Sequence, residues 1–286
     1  MEGCFETLDL MDARRFFIAV RRLADSFQYG DDRSAYLGSG LEYAQSRPYQ
    51  WGDPVRSIDW RITARTGRVF VKEYEAPKRM PCYLLLDTSA SMTISSTALS
   101  KYWVALHVAG GVALACLNQS TPVGVLGVGD LELRIEPSLS RDRVLQWLHR
   151  LRSFRYNEST TLGRRIAELG TRMTSRALVI VLSDMHDAAA LAALRVIAQR
   201  HDCVVLQLRD PAERGLRGAG LLLGREAETG KAFVVRGRRT ELDNSQNSGE
   251  LKRSGIDHLV IDTDLPFAHR LQEFLHRRNV LGRGTR

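Results

Sequence analysis

The stretch Cys82-Tyr83-Leu84-Leu85-Leu86-Asp87-Thr88-Ser89-Ala90-Ser91 decides the fold of this chain. Five apolar residues run together without alternation, as in a strand buried on both faces of a sheet. The run then breaks abruptly into a carboxylate and hydroxyls. Outward from it, strands and helices alternate. A helix is expected over about 99–119, and a strand over 123–128 with a short antiparallel partner near 131–135. Helices follow at 141–151 and 162–173, and the clearest core strand is Ala177-Leu178-Val179-Ile180-Val181-Leu182. A helix at 188–200, a strand at 203–208, a strand at 258–261 and a helix at 266–278 complete the series. Such a rhythm predicts an α/β fold with a doubly wound, mostly parallel sheet. Residues 209–240 interrupt it with two short apolar runs around Glu228-Thr229-Gly230-Lys231, read as a β-hairpin excursion.

Upstream, residues 1 to about 35 carry apolar side chains at helical spacing (Phe16, Phe17, Val20, Leu23, Phe27). Residues 36–66 are rich in Gly, Pro, Tyr and Arg without a clean period, and 68–74 alternate as a strand. A boundary near residue 80 therefore separates an N-terminal helical plus β appendage, 1–80, from an α/β domain, 81–286.

The chain has 286 residues, 44% hydrophobic and 26% charged, enough to bury a full core without disulfides. Cys4, Cys82, Cys116 and Cys203 form no CxxC pair, and the last three sit in apolar runs, as reduced core residues do. The longest apolar stretch, 104–117, is too short to span a bilayer, and acids stand where an export signal would be apolar. These features predict a cytoplasmic protein. The net charge is +8, from 41 basic and 33 acidic residues, but the two signs are interleaved. The densest basic cluster, Arg236-Gly237-Arg238-Arg239, lacks interleaved aromatics, so no nucleic-acid partner is expected.

Asp87-Thr88-Ser89-Ala90-Ser91 follows a core strand, at the edge where open α/β sheets bind ligands. Its carboxylate and hydroxyls are hard oxygen donors that suit Mg²⁺ or Mn²⁺. Five residues cannot complete a coordination shell. Ser183-Asp184 ends the strongest strand and Ser159-Thr160-Thr161 precedes a helix, both on the same edge. The expected ligand set is Asp87, Ser89, Ser91, Thr160 and Asp184. The alternative role for Ser89 and its neighbours is a helix N-cap.

An Asp-x-Ser-x-Ser motif, a Thr on a later loop and an Asp after a core strand together resemble the von Willebrand factor A-type domain, whose fold is Rossmann-like. The resemblance implies a metal-ion-dependent adhesion site. In such a site Ser89 and Ser91 bind Mg²⁺ through their hydroxyls, Thr160 contributes directly or through water, and Asp87 and Asp184 hold coordinated waters.

A second stretch resembles the DUF58 family. It comprises Gly38-x-Gly40-x-Glu42-Tyr43, Arg47-Pro48-Tyr49, Gly52-Asp53, Arg56-x-Ile58-Asp59-Trp60 and Ala64-Arg65. Asp210-Pro211-Ala212-Glu213, after the strand at 203–208, extends the likeness. Where many members have Thr-Asp-Leu this chain has Thr160-Thr161-Leu162, so either threonine could face the metal, with Thr160 favoured. Arg47, Tyr49, Gly52, Asp53, Arg56, Asp59, Trp60 and Arg65 admit a packing role or a partner-binding role. The resemblance implies a companion of MoxR-type AAA+ ATPases in the assembly or maturation of other proteins, here a metal-dependent adaptor that captures an acidic residue. The alternative is a metal-dependent hydrolase or phosphatase, and a separate enzymatic reading is a Ser-His-Asp hydrolase built on Ser89, His186 and Asp187. The missing second Asp of aspartyl phosphatases and the missing Gly-x-Ser-x-Gly elbow argue for the non-enzymatic reading.

Overall fold

A computed structural model describes residues 2–4, 8–27, 42–75, 80–129, 133–155, 159–214, 221–225, 232–236 and 245–278. Along the chain come β1 (Glu2–Cys4), α1 (Leu8–Ser26), β2 (Glu42–Pro48), α2 (Trp60–Thr66), β3 (Phe70–Glu75), β4 (Cys82–Leu86), the single turn α3 (Ala90–Thr93) and α4 (Lys101–Asn118). Then follow β5 (Val123–Gly127), β6 (Arg134–Ser138), α5 (Arg141–Leu151), β7 (Ser153–Arg155), α6 (Leu162–Arg172), β8 (Leu178–Ser183), α7 (Ala188–Ile197) and β9 (Asp202–Arg209). Last are β10 (Leu221–Arg225), β11 (Ala232–Arg236), α8 (Ser245–Arg253), β12 (Asp257–Asp262) and α9 (Ala268–Arg277).

Six strands form the central sheet in the order β12-β9-β8-β4-β5-β6, parallel except for β6. Helices cover both faces, the doubly wound arrangement that the strand–helix rhythm predicts. The period-2 alternation of each strand sorts its side chains. Leu84, Leu86, Ile180, Leu182, Val204 and Leu206 pack with α1, α4, α5 and α9. Leu85, Val179, Val181 and Val205 face the opposite layer, with α6 and α7. β5 lies on one side of β4, while β8, β9 and β12 extend on the other. The strand order thus reverses at β4, and the carboxyl ends of β4 and β8 flank the switch point where ligands bind in such sheets.

Two compact units divide the chain: residues 31–79, and residues 1–30 with 80–286. The first helix therefore belongs with the sheet, although its position in sequence suggests the appendage. Its residues Phe16, Val20, Leu23 and Phe27 are buried in the same core layer as α4. Within residues 31–79, β2 and β3 form an antiparallel pair. Neither β2 nor α2 announces itself in the sequence, because Glu-Tyr-Ala-Gln-Ser-Arg-Pro has no apolar alternation and a seven-residue helix has too few turns to show a period. The antiparallel edge strand falls at 134–138 rather than 131–135. β10 and β11 pair antiparallel as expected. The expected turn at 228–231, Gly38 and Gly40 lie outside the described residues. Cys82, Cys116 and Cys203 are free and buried. No helix among the described residues is long and apolar enough to cross a membrane.

Candidate metal centre

Main-chain hydrogen bonds pin the loops after β4, β5 and β8 to one sheet edge. The Asp87 N–H donates to the Leu182 carbonyl at 2.9 Å, and the Val128 N–H to Leu86 at 3.0 Å. The Thr161 N–H reaches the Val128 carbonyl at 3.0 Å, which carries the Ser159–Thr161 loop to the same edge. The Gly163 N–H donates to Asp187 Oδ2 at 2.7 Å, and a Cβ on Gly163 would stand 2.7 Å from that of Ala189. Only glycine lets the start of α6 approach the start of α7 so closely.

Asp87 and Asp184 are each 1% exposed. Asp87 Oδ1 accepts from the Ser89 N–H at 3.0 Å, and Oδ2 accepts from the Ser183 hydroxyl at 2.5 Å. Burial, then the negative charge of Asp184, push the Asp87 carboxyl up to about 6. Ser89 holds the N-cap position of α3, yet its side chain makes no capping hydrogen bond. Its hydroxyl lies 3.0 Å from that of Ser91 instead. The capping role is therefore not the one this hydroxyl performs.

Of the two threonines, Thr161 is committed to the main chain. Its hydroxyl donates to the Val128 carbonyl at 2.9 Å and approaches that of Gly129 at 3.3 Å. Thr160, with its hydroxyl oxygen buried, remains the candidate ligand of that loop.

Asp184 is held differently from Asp87. Lys101 Nζ donates to its Oδ2 at 2.7 Å, and His186 Nδ1 lies 3.1 Å from the same oxygen. Burial would raise the Asp184 carboxyl, but the His186 hydrogen bond and the Lys101 charge prevail and hold it well below the usual range. The hydrogen bond that His186 donates to Asp184 in turn raises its imidazole against its burial. Lys101 also pairs with Glu213, and the two carboxylates raise its ammonium against a desolvation that opposes them. Met185, between Asp184 and His186, has φ 63°. A left-handed conformation in a non-glycine residue is a strain typical of functional loops.

The expected ligands thus share one edge, with Asp87, Ser89 and Ser91 on one loop and Asp184 on the next. This donor set fits a hard divalent cation: two hydroxyl oxygens in contact, beside two buried carboxylates whose mutual repulsion a cation would relieve. A Ser89, His186, Asp187 arrangement is not assembled, because Asp184 orients His186. The Asp187 carboxylate accepts from Gly163 and from the Ala189 N–H at 2.8 Å.

Lys101 and Glu213 join the site with no motif to announce them, and His186, a candidate only in the hydrolase reading, joins it through Asp184. In the sequence, Asp210-Pro211-Ala212-Glu213 carries only a family likeness. Asp210 accepts from the Ser96 hydroxyl and from the Ser96 and Ala212 N–H groups, both at 2.9 Å, and Glu213 reaches Lys101. A signal for Lys101 does exist in the sequence. A lysine in the first turn of a helix opposes the helix dipole, and the rest of α4 is almost entirely apolar.

The signature residues of the 31–79 unit divide into two groups. Arg47 holds Asp53 with two hydrogen bonds of 2.8 Å, and with the Gln50 N–H this brings the Asp53 carboxyl down to about 2. Gly52, at φ 104°, makes the intervening turn. The Tyr49 N–H extends the β2–β3 pairing to Val69 at 2.9 Å. Asp59 caps α2, accepting from the Arg61 and Ile62 N–H groups at 3.1 and 3.2 Å and from the Ser46 hydroxyl at 2.9 Å. These residues build the unit. Arg56, Trp60 and Arg65 are exposed.

Comparison with known proteins agrees with the signature. Uncharacterized proteins of Mycobacterium bovis and Mycobacterium tuberculosis are each 26% identical over 222 residues, which is 76% of this chain and 70% of theirs. The crystal structure of an uncharacterized membrane-spanning protein from Vibrio fischeri covers 71% of this chain and 98% of its own. Its sequence identity is 15% and its TM-score 0.21, which carries no structural argument. The model of the family described as "Protein of unknown function DUF58" matches residues 45–250, well over half of the chain, and the protein belongs to that family.

Proposed function

We propose that this chain is a divalent-cation-dependent protein-binding module of the von Willebrand factor A type. One observation carries the reading. Ser89 stands at a helix N-cap, but its hydroxyl is turned to Ser91, 3.0 Å away, beside the buried carboxylates of Asp87 and Asp184. In this reading Ser89, Ser91 and Thr160 hold Mg²⁺ or Mn²⁺, and Asp87 and Asp184 balance its charge. Such an ion supplies, when bound, an electrophilic point with a position open to an acidic side chain of another protein. The rest falls to the chain itself. Ser183 orients Asp87, Lys101 and His186 orient Asp184, and the tie between Gly163 and Asp187 keeps the loops in register. The free, buried thiols accord with a reducing compartment such as the cytoplasm.

The partner in this reading is a MoxR-type AAA+ ATPase or its client, an assignment that rests on the family resemblance alone. The test is co-purification of the chain with the MoxR-type ATPase of its own genome, with Mg²⁺ and with chelator. Retention should fail in chelator and in Asp87→Ala. Equal retention in all three conditions overturns the reading.

A further inference from the structure

The ammonium of Lys101 sits where a second cation could. Asp184, His186 and Glu213 bring their ligand atoms within 4.8 Å of one another, and Lys101 Nζ bridges two of the three. Lys101 is 2% exposed, so its charge cannot move into solvent. Asp184 is shared between this cluster and the Ser89–Ser91 ligand set. The two positive positions, one permanent and one for the metal, therefore abut across a single carboxylate.

Counting charge shows what the lysine does. Asp87, Asp184 and Glu213 carry three negative charges, and Lys101 cancels one of them. A divalent ion then offsets the other two. Without Lys101 the loaded cluster would be more negative by one charge and would repel an incoming acid more strongly. Protonated His186 would add to the same positive side. The Asp210 carboxylate, held by Ser96 and Ala212, adds a further negative charge that feels Lys101.

We propose that Lys101 is a positioning residue that trades metal affinity for acid capture: its fixed charge weakens divalent binding and leaves the loaded site receptive to a carboxylate. This rests on the cation-site reading above. It requires the two affinities to move in opposite directions when the local charge changes, which ordinary structural damage does not produce. One unit charge at these separations corresponds to roughly tenfold in either constant.

The experiment titrates the full chain with Mn²⁺, followed by electron paramagnetic resonance, and then titrates the Mn²⁺-loaded protein with acetate, followed by water-proton relaxation. Lys101→Met should bind Mn²⁺ about tenfold tighter and acetate about tenfold more weakly. Glu213→Gln leaves Lys101 paired with Asp184 and should show the mirror result, weaker Mn²⁺ and tighter acetate, even if Lys101→Met fails to fold. Constants that move together, or stay put in Glu213→Gln, overturn the role of Lys101 while the cation site stands. A wild-type chain that takes up no Mn²⁺ overturns the cation site, and this role with it.

Discussion

The chain treats its carboxylates in two opposite ways. In the 31–79 unit, Asp53 and Asp59 are saturated. Arg47 and the Gln50 N–H satisfy the first, two helix N–H groups and Ser46 the second, and both carboxyls titrate below their ordinary range. At the sheet edge, Asp87 is buried beside another acid with only hydroxyls and an N–H for partners, and its carboxyl is pushed up to about 6. The same side chain serves folding where its charge is matched locally. Where the charge is buried and left unmatched, a site is indicated. Lys101 marks the border between the two regimes, since it matches Asp184 and leaves Asp87 alone.

The comparison can be broken most forcefully at that border. Asp184→Ala removes one of the two partners of a buried lysine and should cost roughly 3 kcal/mol in chemical denaturation, with loss of divalent uptake. A change below about 1 kcal/mol would mean that the buried pair is not what holds this edge.

A smaller effect is expected at Asp87. Its carboxyl is raised in the folded state, so in metal-free protein its contribution is fullest below the unfolded value near 3.8 and is lost as pH rises through about 6. Metal-free Asp87→Asn should therefore be more stable than wild type at pH 7, by about 1–2 kcal/mol, with the gap closing towards pH 4. Urea midpoints at the two pH values measure it. A gap that stays constant, or widens on acidification, would mean that Asp87 is satisfied as Asp53 is.

The smallest effect belongs to the saturated group. Asp59→Ala should speed amide exchange at Arg61 and Ile62, which lose their cap, and leave divalent uptake unchanged. Loss of metal binding in that variant would dissolve the distinction between the two regions.

The difference between the regions also governs what the sequence discloses. The sheet is legible because Leu84, Ile180 and Val204 belong to uninterrupted apolar runs, and a buried parallel strand needs nothing else to be recognised. The Asp87–Ser91 loop is legible because all its donors lie within five residues. The pairing of Lys101 with Glu213 is not, because their meeting depends on where the start of α4 and the turn after β9 arrive in space. The commitment of Thr161 rests on one hydrogen bond to the Val128 carbonyl, which no spacing rule contains. The packing roles of Arg47, Asp53 and Asp59 stay open in the sequence for the same reason, since capping and bidentate pairing appear only once α2 and the Gly52 turn are built.

The central claim is that oxygens from the loops after β4 and β8, with Thr160 beside them, make a divalent-cation site. Isothermal titration of the wild-type chain with Mn²⁺, set beside Ser89→Ala and Asp87→Ala, tests it most directly. The account predicts one equivalent bound by wild type and at least a tenfold loss of affinity in either variant. Absence of binding in wild type, or binding that both substitutions leave intact, would contradict it.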